Sequence, residues 1–182
     1  MPAIATSIDH LTASTEWVPA APFRAWLDHL CAATGFSPST VAVAAGVATG
    51  VTRTLARESQ RPRCIRVVDA VRLISLDAER LKRAQRVLSD ATPARQALAG
   101  LGACCPTADE LMLRLGIGRD IANGLVEGWL DVCAKSLVWR CLALAQDVTH
   151  ARTMAALADG AGGVDDCWPA EQGQMARAVL AA

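Results

Sequence analysis

Apolar residues recur every three or four positions along most of this chain, a spacing that is typical of helices with one buried face. The first clear example contains Trp26, Leu27 and Leu30. Pro22 suits the first turn of this helix, and Gly35 is placed to end it. The pattern as a whole predicts an all-α fold.

A longer helical pattern follows at residues 66–89, where no glycine or proline interrupts the apolar spacing. The sequence allows either one long helix or two helices that separate between Ser75 and Asp77. In the second case the Asp77 side chain would cap the second helix. A last helix, at about 169–181, is predicted to begin at Pro169.

Between these helical patterns, residues 38–66 contain two short helical segments around a glycine. The small Ala42 lets two helices approach closely, and Gly46 permits the left-handed backbone of a tight turn. Val47 and Leu55 are spaced to bury the inner side of the second helix. These residues therefore predict two short helices joined by a tight turn.

This spacing resembles that of the helix-turn-helix family of DNA-binding proteins, and the resemblance extends over residues 22–76. Two positions depart from the family pattern: Thr52 stands where an inward apolar residue is usual, and Gly50 interrupts the second helix. The resemblance implies that the early residues of this helix enter the major groove of DNA. It assigns base contacts to Thr49 and Arg53. Phosphate contacts are expected from four further arginines: Arg57, Arg61, Arg63 and Arg66.

The same pattern recurs about 70 residues later, and we therefore predict an internal duplication. Gly46 aligns with Gly116 at a spacing of 70, and Pro22 aligns with Pro93 at a spacing of 71. At a spacing of 70, further matches pair Val41, Val47, Val51, Leu55, Val67 and Val68 with Leu111, Ile117, Ile121, Leu125, Leu137 and Val138. The predicted regions are an N-terminal arm, a basic first repeat, a second repeat, and a linker with a last helix, at 1–20, 21–90, 91–160 and 161–182.

The two predicted repeats differ in charge. Residues 1–90 carry 11 Lys and Arg against 8 Asp and Glu, whereas residues 91–182 carry 7 against 10. Because an acidic surface repels phosphates, the second repeat is predicted to read DNA poorly. Its apolar residues favour contact with a protein partner or self-association. The residues predicted to form this partner surface are Leu125, Val126, Trp129 and Leu130.

The composition argues against several other classes of protein. No apolar run of 18 residues suggests a membrane span, and the N-terminus lacks the pattern of a secretory signal. The seven cysteines form no CxxC pair and the three histidines are far apart, so we expect free thiols, no metal and no cofactor. No catalytic motif is present. We expect a non-enzymatic, cytoplasmic protein, associated with the nucleoid if it binds DNA.

Two functions remain open at this point. The first is sequence-specific binding to double-stranded DNA by a bacterial or phage transcriptional regulator. The stretch from Arg53 to Arg86 supports it, with 10 basic and 4 acidic residues. The alternative is a helical protein–protein interaction module without DNA binding, which contacts a regulator or a polymerase. The zero net charge and the acidic second repeat favour this alternative.

Overall fold

The structure, a computed structural model, describes residues 16–57 and 62–161. The predicted arm before residue 16, Arg61 and the predicted helix at 169–181 lie outside the described residues. Within the described ranges the chain is mostly helical, as the apolar spacing predicts. Residues up to Asp147 belong to one compact unit, and the later residues belong to a second.

The first half of the main unit begins with a short strand and contains two short helices joined by a tight turn, here called a helix-turn-helix for this order of elements alone. Pro22 lies in the first turn of its first helix, and the Ser37 side chain caps the next by accepting a hydrogen bond from a backbone N–H. Residues 66–89 contain two helices rather than one, and Asp77 caps the second of them. In chain order the elements are β1 (Trp17–Pro19), α1 (Ala21–Thr34), α2 (Pro38–Ala45), α3 (Thr49–Ala56), β2 (Cys64–Arg66), α4 (Val67–Ile74) and α5 (Ala78–Ala84).

The second half again places a strand and a helix before a helix-turn-helix. Each strand in the described chain has only three residues, and the all-α prediction missed them because so short a segment shows no alternating pattern. The elements are β3 (Leu88–Asp90), α6 (Thr92–Ala99), a 3₁₀ turn (Gly102–Cys104), α7 (Ala108–Leu115), α8 (Arg119–Glu127), β4 (Val132–Ala134) and α9 (Lys135–Ala161).

The strands form two antiparallel pairs, β1 with β2 and β3 with β4. In the first pair, Val18 lies opposite Ile65, and Trp17 lies opposite Arg66. The central residues of β2 and β4, Ile65 and Cys133, are both buried. Each pair therefore joins the start of its half to the segment that follows the helix-turn-helix.

The core of the first half consists mainly of leucine side chains contributed by its helices. Full burial of one such side chain stabilises a fold by about 1.5–3 kcal/mol. Trp26 adds a polar connection, because its indole N–H donates to the carbonyl oxygen of Leu73 over 3.2 Å. The largest fully buried residues of this core are Leu27, Leu30, Val41, Leu55, Leu73, Leu76 and Leu81.

The two halves have matching backbone contacts beside their strand pairs. Ala20 N donates to Arg63 O over 2.9 Å, and Ala91 N donates to Asp131 O over 2.8 Å. Ala20 and Ala91 are 71 residues apart, whereas Arg63 and Asp131 are 68 apart. The second strands and the helices after them therefore correspond at a spacing of 68. The predicted spacing of 70 for Val67 is wrong by two residues, because the connection after α8 is shorter than the one after α3.

The last part of α9, at residues 148–161, belongs to the second compact unit. Its side chains from 151 to 158 are exposed, including Met154 and Leu157. Across the described residues, every helix is too short or too polar to cross a membrane.

Candidate nucleic-acid interface

The turn between α2 and α3 has the geometry that the sequence predicts. Gly46 has a φ of 69°, in the left-handed region that favours glycine, and Gly116 has a φ of 58° at the matching turn. Ala42 is fully buried, and Val47 N donates to Ala42 O over 2.9 Å. Val47 and Leu55 are also buried. These contacts fix α3 against α2 and turn one side of α3 toward the core.

Three residues of α3 face the core and leave the opposite side open. Thr49, Thr52 and Leu55 are 5%, 0% and 1% exposed. The Thr52 hydroxyl donates to Thr49 O over 3.2 Å, so this buried polar group has the partner it needs. Thr49 was expected to contact bases, but a side chain this deeply buried does not reach a ligand outside. The remaining side, which we call the outer face, consists of the exposed Ala48, Gly50 and Arg57 and the half-buried Val51 and Thr54. Part of the Val51 side chain packs against the core, and Ala48, Val51 and Thr54 line the groove described below.

Arg53 lies at the edge of the outer face and is directed toward α9. Its Nη1 is 3.4 Å from Asp147 Oδ1, and its side chain is 22% exposed. The buried Ser39 hydroxyl donates to the same carboxylate oxygen over 3.1 Å. Asp147 therefore connects α2 and α3 to α9. Because Arg53 already has this partner, it is less available for a base than the resemblance implies.

The remaining arginines assigned from the sequence are on the surface where the structure describes them. Arg57, Arg63 and Arg66 are all exposed. The Arg66 guanidinium lies 5.8 Å from the centre of the Trp17 ring, a distance typical of a cation–π contact. Arg61 belongs to the same basic stretch but lies outside the described residues. Arg57 directly follows α3, Arg66 lines a groove beside it, and Arg63 lies just before β2.

A groove of about 470 Å³ separates α3 from the strand pair β1–β2 and the start of α4. Its lining includes the apolar side chains of Leu55 and Ile65 and the ring of Trp17. Arg72 also lines it and donates from Nη1 to the carbonyl oxygen of the turn glycine over 2.8 Å. Asp69 adds one carboxylate. Sequence reasoning did not assign Arg72, although it lies in the basic stretch, or Trp17, whose position depends on the unpredicted strands.

The outer face of α8 carries acidic residues where α3 carries basic ones. Counted from the turn glycines, Glu127 corresponds to Arg57. By the strand register, Asp131 corresponds to Arg63. Asp120 adds a carboxylate two helical turns before Glu127, and all three acidic residues are exposed. Asp131 is paired with Arg95 over 3.5 Å, so Asp120 and Glu127 are the carboxylates that would repel a phosphate near this face.

Trp129 covers the part of α8 that corresponds to Thr54. A Cβ added at Gly124 would lie 3.2 Å from two atoms of the Trp129 ring and 3.0 Å from Leu130 Cβ. The Trp129 indole N–H donates to Glu127 Oε2 over 2.9 Å. In the second half, Trp129 and Leu130 therefore cover the position on α8 that corresponds to Thr54, which lines an open groove in the first half.

The predicted apolar surface of the second half needs a correction. Leu125 is 2% exposed, because it occupies the inward position that Leu55 occupies in α3. Leu130 is half-buried, whereas Val126 and Trp129 are 44% and 55% exposed. Four further exposed apolar residues of the second half were not predicted: Leu88, Leu113, Ile121 and Val132.

The cysteines that the structure describes are free thiols. Burial, with a smaller effect of Asp28, raises the pKa of Cys31 to about 11. Burial raises the pKa of Cys141 to about 12. Both thiols are therefore protonated near neutral pH and are poor nucleophiles. Within residues 16–57 and 62–161, no group of His, Cys, Asp and Glu side chains is arranged to hold a metal ion.

Comparisons of the chain with protein-family models, curated proteins and solved structures found no match. The resemblance to the helix-turn-helix family therefore remains a prediction from the spacing of residues 22–76. What can be proposed about function depends on the geometry and charge of α3 and its surroundings.

Proposed function

We propose that the chain binds double-stranded DNA with its first half, as a regulator of transcription does. The observation that supports this most directly is the outer face of α3. Its Ala48 and Gly50 are exposed, its Val51 and Thr54 are half-buried, and three exposed arginines, Arg57, Arg63 and Arg66, belong to the same half. A short helix after a tight glycine turn, with exposed basic residues around it, suits insertion into the major groove.

In this proposal the outer face of α3 contacts base edges and the arginines contact phosphates. Arg57 follows the last residue of α3, and Arg66 ends β2 on the other side of the groove. Phosphate contacts at separate points fix the register of a protein on the duplex. Asp69 in the groove weakens the local positive field, so the arginines outside the groove carry most of the attraction.

We also propose that the two halves arose as copies of one unit. The shared order of strand, helix, helix-turn-helix, strand and helix supports this, as do the matching contacts of Ala20 and Ala91. The second copy does not bind DNA in this proposal. Its acidic outer face and the Trp129 ring that covers Gly124 are both unfavourable to phosphate and base contacts.

The test is a fluorescence anisotropy titration of a randomised duplex pool with the full chain, at 50 and 200 mM salt. Three phosphate contacts predict a slope of log affinity against log salt of about −2.7, from roughly −0.9 per contact. The affinity should then fall about fortyfold between the two salt concentrations. An affinity that does not change with salt, or no binding at the lower salt, would contradict the proposal.

A second candidate function is supported by the exposed apolar residues of the second half. Ile121, Val126, Trp129 and Val132 are each at least 40% exposed. Exposed apolar side chains of this size favour a protein interface. In this second candidate the exposed surface joins two copies of the chain, so the wild-type chain should self-associate in sedimentation velocity without binding DNA. A Trp129→Ser, Val132→Ser variant should then sediment as a monomer.

A further inference from the structure

The part of α3 that would approach a base has few polar groups on its outer face. Ala48 and Val51 end in methyl groups, and Gly50 has no side chain. The Thr54 hydroxyl donates to Gly50 O over 2.6 Å, so its proton is already engaged within the helix. The accessible chemistry of this surface is therefore mainly methyl groups, those of Ala48 and Thr54 and the part of Val51 that is not packed against the core.

The polar side chains next to this surface are directed elsewhere. Thr49 and Thr52 are buried, and the Thr52 hydroxyl bonds to the helix backbone. Arg53 is held by Asp147 at the edge of the face. Arg57 is exposed but lies beyond the last residue of α3. The beginning of α3 thus presents no free guanidinium, amide or carboxylate on its outer face.

Gly50 has no evident role within the chain. Its φ is not in the left-handed region, and an added Cβ would meet no atom within 4 Å. Glycine inside a helix is less favourable than alanine. A glycine on an open outer face does, however, permit the close approach of another molecule.

We infer that this surface recognises thymine methyl groups, so that the preferred ligand is duplex DNA with thymines at adjoining positions of one major groove. This inference rests on the DNA binding proposed above. Thymine alone among the four bases carries a methyl group in the major groove, and alanine and threonine methyl groups contact it favourably. Gly50 allows α3 to lie close enough for these contacts. Phosphate binding remains the task of the arginines.

The test begins with selection of bound duplexes from a randomised pool. The selected duplex is then synthesised with deoxyuridine in place of thymidine, which removes only the methyl group. Each contacted methyl should contribute about fourfold in affinity, so two contacts give about fifteenfold weaker binding of the deoxyuridine duplex. The salt dependence should be the same for both duplexes, because the phosphates are unchanged.

Two variants of the chain distinguish contact with thymine methyl groups from electrostatic attraction to the phosphates. Thr54→Ser keeps the hydroxyl and removes the methyl group, and it should reduce the thymidine-to-deoxyuridine ratio by about fourfold. Arg57→Ala is the control, since it should weaken both duplexes equally and leave their ratio unchanged. A change of folding is detected in either case by the melting temperature.

The inference is overturned if the chain binds the selected thymidine and deoxyuridine duplexes with affinities within twofold of each other. It is also overturned if selection gives sites without adjoining thymines. In both cases the chain still binds DNA, and the proposed function survives. If the chain binds no duplex from the randomised pool, both the proposed function and this inference are contradicted.

Discussion

The two halves of the main unit share an order of elements but differ at the surfaces of two corresponding helices, α3 in the first half and α8 in the second. Inward positions agree: Leu55 and Leu125 are 1% and 2% exposed. Outward positions disagree, because Arg57 corresponds to Glu127 and Arg63 to Asp131. The comparison indicates that packing against the core restricts residue type at the inward positions of both halves. At the outward positions packing imposes no such restriction, so the charge can differ.

The largest expected effect tests the shared core. Leu55→Ala and Leu125→Ala should each lower the free energy of unfolding by about 2–5 kcal/mol, since both remove a fully buried side chain. Denaturant unfolding followed by circular dichroism measures this. If Leu125→Ala costs less than about 1 kcal/mol, Leu125 is not an inward residue and the correspondence of the halves fails.

The next effect concerns the charge difference. A variant with Arg57→Glu and Arg63→Glu gives the first half the charges of the second. It should weaken DNA binding by at least about a hundredfold, because two attractions become two repulsions. The matched control is Glu127→Gln with Asp131→Asn, which should change the affinity less than about threefold. Equal losses in both variants would contradict the assignment of binding to the first half.

Two glycine substitutions test whether the surface of α3 at Gly50 is open and that of α8 at Gly124 is covered. Gly50→Ala should stabilise the fold by about 0.5–1 kcal/mol, since the added methyl meets no atom within 4 Å. Gly124→Ala should give no gain or a loss, because its Cβ would lie 3.0 Å from Leu130 Cβ and 3.2 Å from the Trp129 ring. We expect a difference of about 1–3 kcal/mol in thermal or denaturant unfolding.

Gly50→Ala also has a functional outcome. Although it stabilises the fold, it should weaken DNA binding, because the methyl group separates α3 from the base edges. Stronger binding by this more stable variant would argue against close approach at Gly50. Anisotropy at fixed salt measures this effect.

The smallest expected effect concerns the contact between α3 and α9. Asp147→Asn should change stability by less than about 1 kcal/mol, because the pair with Arg53 is partly exposed. It should raise DNA affinity up to about threefold, since Arg53 is released and a negative charge is lost. Asp109→Asn is the control, as Asp109 pairs with Arg119 in the second half. A similar gain from both variants would indicate only a general charge effect.

The sequence predicted features that depend on neighbouring residues. The turn glycine and the burial of Ala42, Val47 and Leu55 follow from local spacing. For residues 66–89 the spacing left one helix or two open, and the structure has two, with Asp77 as the cap of the second. The same alignment that pairs Leu55 with Leu125 implies a buried Leu125. The prediction that Leu125 belongs to an exposed partner surface is therefore wrong, and the alignment with Leu55 already indicates that it is buried.

Other features depend on residues that are distant in the chain. Arg53 and Asp147 are 94 positions apart, and nothing in their local sequence indicates that they pair. Trp17 reaches the groove only because β1 pairs with β2, and three-residue strands give no recognisable pattern. Thr49 is buried because of the orientation of α3 on the core. The spacing of apolar residues is not sufficient to predict this orientation.

The most direct test of the central claim is the salt dependence of DNA binding in matched variants of the two halves. Replacement of Arg57 and Arg63 by alanine should flatten the slope of log affinity against log salt by about 2, because two phosphate contacts are lost. Replacement of Glu127 and Asp131 by alanine should leave the slope unchanged. A slope that changes only with the second-half residues, or with neither pair, would contradict the account.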